Sequence, residues 1–292
     1  MSPGGITTLA VGARAFLASV ALTLASCSGD SPSAPDAPGT AGDFIEATGA
    51  RLRCVLDLPN GAGPFPGVVI GQGSGRATTS DGAAYVPFLK GRGYAVLRYD
   101  KRGVGQSTGV YRGVSAANSE SQVAELASDM SAALDFLAAK PQIDARRLGL
   151  FGTSQAGWIM VAAAQRNLRA RFLVAVTGSV EPVGTNIFYE DLRDTPIDEA
   201  YARLAGYSGA KGYDPAPVLA VLDVPSLWLF GTDDRLVPTR DCLRILDRLR
   251  EDGAPVESVV YPGAIHGLVG VDFWPDVDPF LARAARGGGD LR

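Results

Sequence analysis

The chain has 292 residues, of which 46% are hydrophobic and 20% are charged, and its net charge is −4 at pH 7. This balance is typical of a globular protein with a sizeable core and excludes wholesale disorder. No stripe of Lys and Arg runs along the chain, so a nucleic-acid partner is not expected. Three cysteines exclude a disulfide scaffold and one histidine excludes a His-rich metal site, and no cofactor is predicted.

The N-terminus predicts an export signal. Residues 15–26 are apolar or small, a run shorter than the roughly 20 residues that span a bilayer but typical of the hydrophobic region of a signal peptide. The run ends in Leu-Ala-Ser-Cys at 24–27, which resembles a bacterial lipobox. Residues 1–26 therefore predict a lipoprotein signal peptide, with Cys27 as the site of lipid attachment. An ordinary signal peptide with an incidental cysteine and a plain membrane anchor are the alternatives.

Residues 27–42 are rich in Ser, Pro and Gly, and after Cys27 they contain no large apolar side chain. Such a composition cannot bury enough surface to fold, so this segment predicts a tether. Lipid chains on Cys27 would hold the protein at a membrane without a spanning helix. The predicted location is the bacterial cell envelope, on its periplasmic or extracellular face, with the folded domain at 43–292.

In that domain, predicted strands alternate with predicted helices. In chain order the pattern indicates strands at 54–58, 68–70 and 94–99, a helix at 119–140, a strand at 148–151, a helix at 155–166 and a strand at 172–176. A strand at 227–230, a helix at 239–252, a strand at 256–261 and a helix at 275–286 follow. This order predicts an α/β fold, with a mostly parallel central sheet covered by helices on both faces. Residues 180–222 are the least regular stretch and predict a small cap.

The sharpest chemical motif is Gly-Thr-Ser-Gln-Ala-Gly at 152–157, directly after a predicted strand and before a predicted helix. A Gly-x-Ser-x-Gly turn in that context holds its serine exposed on a strained backbone, ready to act as a nucleophile. Here Ala156 occupies the second small position, and Gly157 follows it. A plain strand–helix turn with Ser154 as its cap is the alternative.

Two further motifs follow later strands. Gly-Thr-Asp-Asp-Arg-Leu-Val-Pro at 231–238 offers two carboxylates, of which Asp234 is the better candidate to orient an imidazole, while Asp233 is expected to cap the turn. His266, the only histidine, lies in a Gly-flanked loop after the last predicted strand. Ser154, Asp234 and His266 thus occur in the chain order Ser, Asp, His.

The chain resembles α/β-hydrolases of the serine esterase and dienelactone-hydrolase-like kind over nearly all of residues 50–290. The segment at 100–107 is similar to the Asp-x-Arg-Gly-x-Gly-x-Ser turn of that family, in which Asp100 and Arg102 are expected to tie the turn by charge-assisted hydrogen bonds. The resemblance implies an oxyanion hole formed by the backbone N–H groups of Gln155 and Ser74. Ser74 lies in the Gly-rich loop at 71–75, where Gln72 replaces the family's histidine, and a flexible loop without that role is the alternative.

The implied chemistry is acyl transfer to water, with His266 as general base for Ser154 and Asp234 as its partner. A carboxylic ester is the expected substrate, and the polar character of 180–222 favours soluble or short-chain esters. A peptidase, a thioesterase, an acyltransferase and a lipid-anchored binding protein without activity remain alternatives. A prolyl-oligopeptidase-like enzyme is not expected, because it usually carries a large additional N-terminal domain.

Five side chains outside these motifs are expected to pack in the core: Cys54, Cys242, Trp158, Phe273 and Trp274. For the three aromatic residues, the lining of an acyl pocket is the alternative.

Overall fold

Residues 43–284 are described by a computed structural model. The predicted signal peptide, Cys27, the tether and residues 285–292 lie outside the described residues. Within 43–284, eight strands form one sheet in the order β1-β2-β4-β3-β5-β6-β7-β8. The strands are β1 (Asp43–Ala47), β2 (Ala50–Asp57), β3 (Phe65–Gly71), β4 (Ala95–Tyr99), β5 (Ile143–Thr153), β6 (Ala170–Val176), β7 (Ser226–Gly231) and β8 (Val256–Tyr261).

Two kinds of pairing divide the sheet. β1 and β2 form an antiparallel hairpin, and β2 is also antiparallel to β4. All later pairs, from β4–β3 to β7–β8, are parallel. Because the carboxyl ends of parallel strands meet at the same edge, the loops after β3, β5, β6, β7 and β8 gather there.

Helices cover both faces of the sheet. The helices are α1 (Val86–Gly91), α2 (Ser119–Ala138), α3 (Ala156–Arg166), α4 (Val183–Asp191), α5 (Ile197–Ala205), α6 (Ala216–Leu219), α7 (Thr239–Glu251) and α8 (Trp274–Ala284). One buried cluster contains side chains of α2, α3 and α7, and the other contains side chains of α1 and α8. The prediction of a mostly parallel sheet with helices on both faces is therefore confirmed. No helix in the described part of the chain has the length and apolarity needed to cross a membrane.

Alternation along the strands explains why both faces can be apolar. In β6, Leu173 and Ala175 join the first cluster while Phe172 and Val174 join the second. Successive strand residues point to opposite faces, so an uninterrupted apolar strand supplies both cores at once. Trp158, Phe273 and Trp274 are all buried, and Trp274 stacks on Phe151 with ring centroids 5.8 Å apart.

Cys54 on β2 and Cys242 on α7 are buried free thiols, as expected for small apolar core residues.

The segment between β6 and β7 contains more regular structure than its sequence indicates. It forms three short helices, α4, α5 and α6. Side chains of α4 and α5, together with the residue that directly follows α4, build a third, separate apolar cluster that consists of Tyr189, Leu192, Ala200, Tyr201 and Leu204. This region, residues 180–222, is called the cap below. Its sequence looks irregular because these helices are short and Pro and Gly residues interrupt the pattern.

Candidate active site

Ser154 lies on the tight turn between β5 and α3. Its φ is 54°, in the left-handed region that a residue with a Cβ rarely adopts. Two backbone hydrogen bonds hold the turn: the Ser154 N–H donates to Val176 O at the end of β6, at 3.1 Å, and the Gly157 N–H donates to Ser154 O at 2.9 Å. The predicted strand–turn–helix context of Ser154 is therefore present, with the side chain at the carboxyl edge of the sheet.

Close backbone contacts explain why glycine flanks this turn. A Cβ at Gly152 would lie 2.6 Å from the Cβ of Ala156 and 2.8 Å from Gly71 O. A Cβ at Gly157 would lie 2.9 Å from Ser179 O and 3.0 Å from Ser179 N. Real Cβ atoms avoid such distances, so both positions exclude larger residues. An alanine is therefore tolerated at the second small position, Ala156, and the requirement for glycine falls on the next residue, Gly157.

Asp234 and His266 meet at the same edge, between the loops that follow β7 and β8. His266 Nδ1 lies 2.8 Å from Asp234 Oδ2. The other carboxylate oxygen, Oδ1, accepts the N–H groups of Leu236 at 2.8 Å and Val237 at 2.9 Å. Asp234 is fully buried, whereas Asp233 is exposed and bonds only the Thr232 hydroxyl through its side chain. Of the two adjacent carboxylates, the structure pairs Asp234 with the imidazole.

This pairing has a chemical consequence for the histidine. A carboxylate at Nδ1 favours the tautomer that carries its proton on Nδ1, which leaves Nε2 as the basic nitrogen. The His266 side chain is 22% exposed, so the ring remains partly accessible to solvent. The Asp234–His266 pair can therefore take up a proton at Nε2 and offset the charge that develops on the ring.

Thr177, which follows β6, connects the serine turn to the histidine loop. Its hydroxyl accepts the N–H of Gly267 at 3.1 Å, and its own N–H donates to Leu229 O at 2.7 Å. The preceding residue, Val176, accepts the N–H of Ser154. The end of β6 thus positions Ser154 and His266 relative to each other. Sequence reasoning missed Thr177, and its position directly after a buried strand was the available signal.

The Gly-rich loop after β3 lies over the serine. A Cβ added to Gly73 would be 3.5 Å from the Cβ of Ser154. Ser74 follows in the same loop and is exposed, and Gln155 follows Ser154 and is buried. Gln72, which replaces the family's histidine, is buried and donates its amide N–H to Tyr99 O. The structure therefore places the loop that carries Ser74 next to the turn that carries Ser154 and Gln155.

The turn at 100–107 is built only partly as expected. Asp100 accepts the N–H groups of Thr79 at 2.7 Å and Gln106 at 3.0 Å, so it does tie the turn. Arg102 instead forms a buried bidentate pair with Asp129 on α2, at 2.6 and 2.7 Å. Arg102 therefore fastens the turn to a helix, which corrects the prediction that it ties the turn itself.

The cap reaches the site from outside the sheet. The hydroxyl of Tyr189 on α4 donates to Asp234 O at 2.9 Å, and the side-chain amide of Asn186 donates to Leu236 O at 3.1 Å. Glu190, also on α4, is half-buried, and burial raises the pKa of its carboxyl while the nearby His266 opposes that rise. Among residues 43–284, no group of three or more His, Cys, Asp or Glu side chains could hold a metal ion.

The solved structures of similar architecture include an esterase and a putative dienelactone hydrolase. A Pyrococcus furiosus esterase matches with a TM-score of 0.63 at 17% identity, over 85% of this chain and 91% of that chain. A putative dienelactone hydrolase from Klebsiella pneumoniae matches with a TM-score of 0.59 at 20% identity, over 83% of this chain and 98% of that chain. These likenesses show the α/β-hydrolase fold.

The curated relatives include an N-acyltransferase and a thiohydrolase. Mouse acyl-coenzyme A amino acid N-acyltransferase 1 is 28% identical over 270 residues, which are 87% of this chain and 61% of that protein. A thiohydrolase from Aspergillus aculeatus is 29% identical over 177 residues, which are 61% of this chain and 53% of that protein. The chain thus matches between about half and three fifths of the length of these relatives.

Residues 82–277 match the prolyl oligopeptidase family. This span is more than half of the chain and contains Ser154, Asp234 and His266. The match corrects the expectation that the chain is not prolyl-oligopeptidase-like. That expectation concerned an additional N-terminal domain, whereas the match covers the hydrolase domain. The chain therefore belongs to the prolyl oligopeptidase family.

Proposed function

We propose that the protein is a serine hydrolase that cleaves carboxylic esters through an acyl-enzyme on Ser154. The observation that carries the proposal is the 2.8 Å contact between His266 Nδ1 and the buried carboxylate of Asp234, at the sheet edge that also holds Ser154. His266 takes the serine proton as Ser154 attacks the carbonyl carbon, and Asp234 offsets the resulting imidazolium charge. His266 then protonates the departing alcohol, and water releases the acyl group.

The oxyanion that forms on the substrate is assigned to the N–H groups of Gln155 and Ser74. Gln155 lies at the start of α3, where the helix dipole adds to the favourable field. Removal of one such donor costs about 2.7–4 kcal/mol of transition-state stabilisation in a measured serine hydrolase. The alcohol that leaves an ester takes up one proton, which His266 supplies.

A thioester is the second candidate substrate, with transfer of the acyl group to an amine as its variant. The N-acyltransferase that matches 87% of this chain favours it. The same acyl-enzyme would form, and the acceptor would then decide between hydrolysis and transfer.

The mass of the intact protein after incubation with a fluorophosphonate tests the nucleophile. The full chain should gain one adduct, whereas Ser154→Ala should gain none. Ser121→Ala, an exposed serine on α2, serves as the matched control and should react like the wild type. An adduct on folded Ser154→Ala, or none on the folded wild type, would contradict the proposal. Rates with p-nitrophenyl esters and acyl thioesters of equal chain length then separate the two substrate classes.

We also propose that the protein is exported and anchored through a lipid on Cys27. The lipobox-like sequence at 24–27 and the tether at 27–42 support this proposal. In a bacterial host, the wild type should fractionate with membranes and Cys27→Ala should not. Equal fractionation of the two proteins would contradict it.

A further inference from the structure

One buried cation lies directly beneath the candidate site and takes no part in the proton transfers between Ser154 and His266. Lys101, in the turn after β4, is 2% exposed. Its Nζ donates to three acceptors, namely Gly73 O, Gly75 O at 3.2 Å and Gln155 Oε1 at 3.0 Å. An ammonium group has three N–H donors, so all of them are used. None of these acceptors is a carboxylate.

The three acceptors belong to the two sides of the proposed oxyanion hole. Gly73 O and the Ser74 N–H are part of one peptide unit, which is planar and trans. Its C=O and N–H therefore point in opposite directions, and anchoring the carbonyl on Lys101 turns the N–H of Ser74 away from the lysine. The third acceptor is the side chain of Gln155, whose own N–H is the other assigned donor. One ammonium group thus connects both donor residues.

We propose that Lys101 is a positioning residue of the oxyanion hole, which holds the Gly73–Ser74 peptide and Gln155 in the orientation that stabilises the transition state. The inference rests on the proposed function. Hydrogen bonding to the peptide carbonyl also polarises that peptide, which makes the Ser74 N–H a stronger donor. A neutral side chain of similar size would fill the space but leave both loop carbonyls and the Gln155 carbonyl without their donor.

Few neighbouring groups stabilise the positive charge of Lys101. Burial lowers the pKa of Lys101 to about 7, and the carboxylate of Asp81 opposes that shift. The Tyr111 ring lies 5.0 Å from Nζ, and the Tyr111 hydroxyl accepts the Gly75 N–H at 3.1 Å. The other charged groups nearby are bonded elsewhere: Asp100 to backbone amides, Arg102 to Asp129 and Glu125, and Arg76 to Gly103 O. Lys101 is therefore protonated at low pH and loses its proton as the pH rises past about 7.

The direct test replaces Lys101 with methionine in the full chain and measures kcat and KM with p-nitrophenyl acetate. Loss of one oxyanion donor lowers kcat by roughly 10²–10³-fold. Because Lys101→Met loosens the donors without removing them, kcat should fall by about 10–100-fold while KM changes less than about twofold. Lys90→Met is the matched control and should leave both constants unchanged. Lys90 lies at the end of α1, which precedes the amino end of β4, whereas Lys101 follows the carboxyl end of that strand.

Three further measurements test the same role of Lys101. Binding of a boronic acid, which imitates the tetrahedral intermediate, should weaken by the same factor as kcat/KM. The wild-type kcat/KM should fall as the pH rises past about 7, and that fall should be absent in Lys101→Met. If Lys101→Met does not fold, Gln155→Leu removes one acceptor of Nζ while keeping the backbone N–H, and it should lower kcat with KM retained.

Unchanged kcat in folded Lys101→Met would overturn the inference, as would superimposable pH profiles of the two proteins. A loss confined to KM would overturn it as well. Failure of the proposed function gives a different result, because the wild type would then show neither turnover nor a fluorophosphonate adduct.

Discussion

The serine turn and the cap reach the same site, but they are fixed in different ways. The turn at 152–157 is enclosed by backbone atoms that leave no space for a Cβ at Gly152 or Gly157. The cap has its own apolar cluster and contacts the acid loop through single side-chain hydrogen bonds from Tyr189 and Asn186. The nucleophile's position is thus enforced by backbone contacts, whereas these contacts between the cap and the acid loop depend on individual side chains. Asp234 is where the two regions meet.

The largest effect is expected at that meeting point. Asp234→Asn should lower kcat by about 10⁴-fold, the size of the effect in a serine protease triad, because the amide favours the wrong imidazole tautomer. Steady-state kinetics with p-nitrophenyl acetate measure the change. Asp233→Asn alters the adjacent, exposed carboxylate and should retain wild-type activity. Equal loss in both variants would show that the pairing with His266 is not what matters.

The next effect tests the serine turn. Gly157→Ala should destabilise the protein by about 1–3 kcal/mol, because the new Cβ would meet the backbone of Ser179, which cannot move away cheaply. Urea denaturation measures the change. Gly91→Ala, at the end of α1, is the control: nothing lies within 4 Å of its new Cβ, so it should stabilise by about 0.5–1 kcal/mol. If both substitutions prove neutral, the turn is not enclosed as described.

The smallest effect is expected in the cap. Tyr189→Phe removes the hydroxyl that donates to Asp234 O and should cost about 1 kcal/mol of stability, with at most a small loss of kcat. Tyr207→Phe removes a cap hydroxyl that donates to Ala210 O, away from the acid loop, and should leave kcat unchanged. Thermal unfolding and kinetics on both variants measure the difference. A loss of kcat in Tyr189→Phe as large as that in Asp234→Asn would mean that the cap also fixes the catalytic geometry.

The elements that could be predicted are those whose pattern is local. The helices predicted at 119–140, 155–166 and 239–252 correspond to α2, α3 and α7 within two residues at each end. β1 and α1 were missed because each is short. Only pairing with β2 makes a strand of β1, and α1 contains Pro and Gly in six residues. The cap helices were missed for the same reason, since each is too short for its apolar residues to repeat with a recognisable helical period.

Sequence alone determined the order of the longer elements and the serine turn, because each depends on residues close together in the chain. It also singled out Asp234, from the motif around it, and His266, as the only histidine. Tertiary structure decided what depends on distant segments. It placed Thr177 between the serine turn and the histidine loop, and it directed Arg102 to Asp129. It also buried Lys101 beneath two loops that are 26 and 54 residues away in sequence. A lysine in a polar turn gives no local sign of burial, since burial results only when the sheet brings those loops together.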